Sequence, residues 1–186
     1  MPWPRHIRPA GVALHVIQRG QARAACFFDE RDYAAYLQWL REYAARCECC
    51  VHAYALMGNH VHLLLTAACP EGTADLMQSL RDRHTHYLEE AHERADSLWE
   101  EGFEATAVHV RRHVLACMRY IELNPVRARL ARRPEDYRWS SYRANALGQE
   151  DVLITPHPYY YALGRSAEKR RATYRDSFET MRSGSF

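Results

Sequence analysis

Residues 53–65 read AYALMGNHVHLLL, and this stretch decides how the chain is built. Apolar and aromatic residues dominate both sides of the Gly58-Asn59 step, so 49–57 and 60–66 are expected as two short strands. Two residues leave room only for a tight turn or bulge. Parallel neighbours need a crossover of about a dozen residues or more, so these strands must run antiparallel. Alternate side chains of a strand share a face, which sends His60 and His62 the same way and Val61 toward the core.

Upstream, residues 11–19 (GVALHVIQR) predict a first strand. Asp29 can cap a long helix over about 30–46, with Tyr33, Tyr36, Leu37, Leu40 and Tyr43 on one apolar face. Downstream, Thr73 is positioned to cap a second long helix into the low 90s, with Leu76, Leu80, His84, Tyr87 and Leu88 along one side. A further strand is expected between Gly102 and Val108. Val110, Val114, Cys117, Met118 and Ile121 then recur at helical spacing over 110–123, and Pro125 marks the expected end. After a Pro-rich turn at 155–158, a terminal helix is expected over about 166–181. Long helices between strands, with one hairpin-like link, predict an α+β fold in which helices pack on an antiparallel sheet.

With 186 residues the chain suits one domain with a modest C-terminal appendage, and 47% hydrophobic residues suffice for a core. Its apolar runs are too short for a membrane span, so no membrane partner is expected. Met1-Pro2-Trp3-Pro4-Arg5 lacks the apolar core of a secretion signal, and a cytoplasmic location is expected. A net charge of +2 says little about partners. Of 25 basic residues, all but Lys169 are Arg, which suits bidentate phosphate contacts and equally fits a GC-rich coding bias. From Arg119 to Arg143 the arginines alternate with Tyr137, Trp139 and Tyr142, a mixture able to stack on bases and hold phosphates, or simply a solvated face. Cys47, Cys49 and Cys50 sit near His52 but lack a matching second pair, so they read as small apolar fillers rather than a zinc site.

Two neutral imidazoles on one strand face can hold a divalent ion, although His-x-His alone is also an ordinary polar strand face. Tyr120 and Asn124 stand four apart on a helix and therefore share a side, placing an amide oxygen beside a phenol. A helical tyrosine is more often a packing residue, so this pair too means little alone. The chain has no His-Glu-x-x-His helix of a metalloprotease.

Taken in order, AYALMGNHVHLLL (53–65), RYIELNPVRARL (119–130) and YRWSSY (137–142) resemble the single-tyrosine HUH transposases, above all the REP-associated tyrosine transposases of bacteria. Arg19-Gly20, Phe27-Phe28, Met77-Gln78-Ser79-Leu80 and Leu98-Trp99 extend the resemblance over about residues 12–145. It implies a ferredoxin-like antiparallel sheet with helices packed on it over residues 1–145, followed by a helical C-terminal tail over 146–186. Carried over, His60 and His62 match the metal-binding pair, Asn124 the third ligand and Tyr120 the nucleophile. Arg19, Arg119, Arg127, Arg129 and Arg138 become candidates for DNA contact. The implied reaction is metal-dependent cleavage and rejoining of single-stranded DNA at hairpin-forming repeats, through a covalent 5′-phosphotyrosine. Imidazole and amide ligands accept Mg²⁺ or Mn²⁺, Mn²⁺ being better matched to imidazole, and zinc stays open. Expected partners are single-stranded or hairpin DNA, with the protein a monomer or homodimer.

The sequence also departs from the family. Gly58 stands where Pro is usual, and Gln21 replaces a common Asn. Acids at Glu100, Glu101 and Glu104 follow Trp99 where relatives carry basic residues, and would repel phosphate unless they face away from the DNA. A hairpin-binding protein that does not cut is therefore a second expectation. A metal-dependent hydrolase with Tyr120 as packing is a third.

Overall fold

The computed structural model describes residues 11–92 and 98–183; the Met1–Arg5 stretch discussed above lies outside the described residues. Four strands, β1 (Ala13–Arg19), β2 (Cys49–Met57), β3 (His60–Ala67) and β4 (Glu104–Val108), form a sheet in the order β2-β3-β1-β4. Every neighbouring pair is antiparallel. The helices α1 (Glu30–Arg46) and α2 (Gly72–His92) connect β1 to β2 and β3 to β4. This βαββαβ order, with each crossover spanning one intervening strand, is the ferredoxin-like arrangement. After β4 come α3 (Arg111–Arg127), a one-turn α4 (Pro158–Tyr161) and α5 (Ala167–Ser183). Among the described residues no helix is long and apolar enough to cross a membrane.

The alternation in the strands divides the core in two. Leu14, Val16, Leu56, Val61, Leu63 and Leu65 form one face with Tyr36, Leu40, Leu76 and Leu80 of α1 and α2. On the other face Ala53, Ala55, Met57 and Leu64 lie under Val114, Leu115, Met118 and Ile121 of α3, together with Tyr160, Tyr174 and Phe178. A register shift between Val51 and Ala53 turns the two alanines toward α3, where their small side chains let the helix close on the sheet. His60 and His62 belong to this second face, because Val61 and Leu63 belong to the first.

The expected α1 cap is present. Asp29 accepts the Arg31 N–H at 2.7 Å, while Asp32 accepts the N–H groups of Phe28 at 2.6 Å and Asp29 at 3.2 Å. At α2 the expectation needs correction, since Thr73 lies within the first turn rather than at the cap. The turn tightens through the Gly72 N–H to the Cys69 carbonyl, and a Cβ on Gly72 would come within 2.7 Å of the Cys47 carbonyl oxygen. α3 also runs further than expected, carrying the buried Pro125 inside its last turn and ending at Arg127. A proline so near a helix end removes only the hydrogen bond to Ile121, and the left-handed Arg129 (φ 60°) turns the chain out of the helix soon after.

β2 lies at the sheet edge, and later segments satisfy it. Leu56 donates to the Trp139 carbonyl at 2.9 Å, Ser141 to Tyr54 at 3.0 Å and Thr155 to Val51 at 2.8 Å. The Tyr137 hydroxyl adds a bond to the Leu56 carbonyl at 2.6 Å. The YRWSSY stretch therefore covers a strand edge that would otherwise stand open.

Candidate functional site

His60 opens β3 and pairs across the sheet with Arg19, while His62 pairs with Ile17. Their ring centroids lie 4.9 Å apart. The Nδ1 of His60 is 2.7 Å from Asn59 Oδ1, and the same amide donates through Nδ2 to the Arg23 carbonyl at 3.1 Å. With its NH₂ so committed, Asn59 presents an oxygen that can only accept. The proton on His60 therefore sits on Nδ1 and its Nε2 is a bare lone pair. Burial, helped by the nearby Arg19 charge, pushes His60 down to about 4. Burial together with His60, His15 and Arg19 pushes His62 down to about 3. Both imidazoles are thus neutral near pH 7, the state that ligation requires.

α3 crosses this face and places Tyr120 over the pair. The Tyr120 ring meets His62 edge-on at 5.9 Å and 89°, and meets His15 of β1 at 5.8 Å and 76°. The Arg127 guanidinium lies 5.1 Å from the Tyr120 ring centre. Tyr120 keeps 38% of its surface, so a large substrate can reach it. One turn on, the Asn124 amide donates to the Tyr120 carbonyl at 2.9 Å, which leaves Oδ1 as the end free to coordinate. The structure thus gathers His60, His62 and Tyr120, with Asn124 beside them on α3. These donors suit Mg²⁺ or Mn²⁺: two neutral imidazoles and a neutral amide oxygen, with room for water or phosphate.

The five candidate arginines separate. Arg19 and Arg127 border the site, and Arg129 is exposed just past the end of α3. Arg119 is partly buried, its Nε has no hydrogen-bond partner, and its charge bears on Tyr174 in the second core. Arg138 lies over Trp139 and bonds Glu30 at 3.1 Å, away from the histidines. Glu104 does not face away: it is paired through Ile17 with the His62 face and meets Arg19 at 3.6 Å. Glu100 and Glu101 line a cleft with Gln21, Arg81 and Asp82.

Three groups escaped the sequence reading. His15 and Asn59 buttress the histidines. Glu122, two residues past Tyr120, is wholly buried and accepts bonds from Ser141, Asn145 and Tyr174. Asn59 could have been suspected from its place beside His60, but the other two needed the cross-strand register and the tertiary partners. Asp29, Asp32 and His92 also cluster closely enough to hold an ion. Capping of α1 and a Tyr87 hydroxyl at 3.1 Å already occupy Asp32 there.

A family model described as "Transposase IS200 like" matches residues 10–124, well over half of the chain. The chain belongs to the IS200-like transposase family. The transposase is similar in fold to the structure of a REP-associated tyrosine transposase bound to a REP hairpin, with a TM-score of 0.66 and 13% identity. That match covers 84% of this chain and 92% of the other. A protein of Deinococcus radiodurans R1, provisionally assigned as a transposase, is 21% identical over 66% of this chain and 96% of its own, with a TM-score of 0.45. No curated protein matches the sequence. Matched residues 10–124 include His60, His62, Tyr120 and Asn124, whereas the edge-covering 137–142 stretch lies beyond them.

Proposed function

We propose that this transposase cuts and rejoins single-stranded DNA beside hairpin-forming repeats, with Tyr120 as nucleophile and a divalent cation, Mg²⁺ or Mn²⁺, held by His60, His62 and Asn124. The observation that carries this reading is the half-exposed Tyr120 ring standing edge-on to His62, at 5.9 Å. A bound cation would neutralise the scissile phosphate and polarise its phosphorus.

The Tyr120 oxygen attacks that phosphorus, forming a Tyr–O–P bond to the 5′ side as the P–O3′ bond breaks. The phenol loses its proton, and the departing 3′ oxygen gains one. Because the phosphotyrosine keeps a phosphodiester bond, a 3′-hydroxyl can reverse the step and reseal DNA without another energy source. The Arg127 cation beside the Tyr120 ring is placed to meet an incoming phosphate. Hairpin recognition is supported by the similar structure, which is bound to a REP hairpin. In this reading residues 1–145 form the catalytic unit and 146–186 a helical extension, in a cytoplasmic monomer or homodimer.

Incubation with Mn²⁺ and single-stranded oligonucleotides carrying a hairpin and an unpaired flank should give a covalent protein–DNA adduct resolved on a denaturing gel. Tyr120→Phe should give none. Strand cleavage that persists in Tyr120→Phe rules out the tyrosine mechanism and favours water as nucleophile. A second reading, hairpin binding without cutting, is favoured by one observation: Glu104 stands on the site face and engages Arg19. Tight hairpin binding with no adduct in any divalent metal would select it.

A further inference from the structure

We propose that His15 is a positioning residue for the cation site: it accepts a hydrogen bond from the Nδ1–H of His62 and thereby keeps the Nε2 lone pair of His62 bare. This rests on the reading of His60 and His62 as ligands.

The His15 Nε2 and the His62 Nδ1 are 3.1 Å apart, a hydrogen-bond distance between two ring nitrogens. One proton lies between them, and it can belong to either ring. If His15 holds it, a neutral His62 must carry its own proton on Nε2 and cannot coordinate through that nitrogen. If His62 holds it, Nε2 is bare, and His15 must be the Nδ1–H form. Since Nδ1 is turned to His15, ligation by His62 needs the second arrangement. The neighbouring histidine is already set this way by Asn59, whose oxygen fixes the proton on His60 Nδ1. Each ligand thus has its own acceptor behind it: an amide for His60, an imidazole for His62.

His15 serves behind the site rather than in it. Among the described residues, only Asp29, Asp32 and His92 bring three such donor groups within 4.8 Å of one another, so His15, His60 and His62 do not converge on one point. In the strand register His15 lies opposite Leu64, diagonal to His62, and the two rings lie nearly parallel, 5.3 Å apart at 21°. The same imidazole meets Tyr120 at 5.8 Å, so one half-buried side chain touches both the strand ligand and the proposed nucleophile.

The tautomer can be read directly. Long-range ¹H–¹⁵N spectra of the metal-free full chain, with His62 assigned by substitution, should show His62 as the Nδ1–H form in wild type. In His15→Ala that preference should be lost. His15→Gln, whose amide oxygen can accept the same bond, should restore it. Mn²⁺ titration followed by electron paramagnetic resonance should show affinity falling about 10- to 100-fold in His15→Ala and recovering most of the way in His15→Gln. Circular dichroism melts establish that each variant is folded. An Nε2–H His62 in wild type overturns the proposal, as does a His15→Ala protein whose tautomer and Mn²⁺ affinity are unchanged. A wild type that binds no Mn²⁺ but shows the Nδ1–H form, lost in His15→Ala, removes the cation reading while upholding the control of His62 by His15.

Discussion

Glu122 shows what a single buried carboxyl demands. It has no exposed surface, and burial pushes its pKa up to about 7 from 4.5, despite bonds from Asn145 at 2.8 Å, Ser141 at 2.7 Å and Tyr174 at 2.8 Å. The folded state therefore holds a proton that the unfolded chain releases above 4.5. Its contribution to stability is fully present below that value and is lost as pH rises through about 7. Glu122→Gln keeps an acceptor for Ser141 and Asn145 but never ionises. Thermal melts should show it more stable than wild type at pH 8, by up to about 3 kcal/mol, and close to wild type at pH 5. From sequence, a Glu on a helix reads as solvated. Its three partners come from positions 141, 145 and 174, and only folding brings them together.

At the scale of elements, the decisive contact is α3 on the sheet. Ala55 is fully buried opposite His62, under the same helix that carries Tyr120. Ala55→Leu inserts three carbons into a closed layer, which costs about 1–3 kcal/mol and lifts α3 from β3. Adduct formation at saturating DNA should slow at least tenfold while hairpin affinity changes little, as gel and fluorescence-polarisation assays would separate. Much of this element was legible. The 49–57 and 60–67 strands follow from a two-residue link and from alternation, and helical spacing puts Tyr120 and Asn124 together. Pro125 misled because a proline in the last turn removes only one helical hydrogen bond, so the helix runs on through it to Arg127. Thr73 misled because Gly72 starts the helix one residue earlier. His15 was invisible because its diagonal approach to His62 depends on how β1 registers with β3, which packing on both faces sets.

Across the whole molecule, charge near the site is balanced rather than uniformly basic. Arg19 borders the proposed centre, opposite His60, and meets Glu104 at 3.6 Å. Glu104→Gln removes the acid and leaves Arg19 for phosphate. Affinity for a single-stranded hairpin substrate at 100 mM salt should rise about threefold to tenfold. The slope of log affinity against log salt should steepen by about 0.7–0.9, one phosphate contact's worth. Fluorescence polarisation between 50 and 200 mM salt, on wild type and variant in parallel, measures both.

The strip that closes the β2 edge lies at Trp139, Ser141 and Thr155, whereas the last strand of the sheet ends at Val108. A ribosome that has delivered every strand has thus not yet delivered the cover for one of them. At about 5–20 residues per second, the nascent sheet carries an open hydrogen-bonding rim for several seconds, available to any other extended chain nearby. The order of the segments along the polypeptide therefore builds a brief interval of vulnerability into every round of synthesis, which quick docking of the late strip brings to an end.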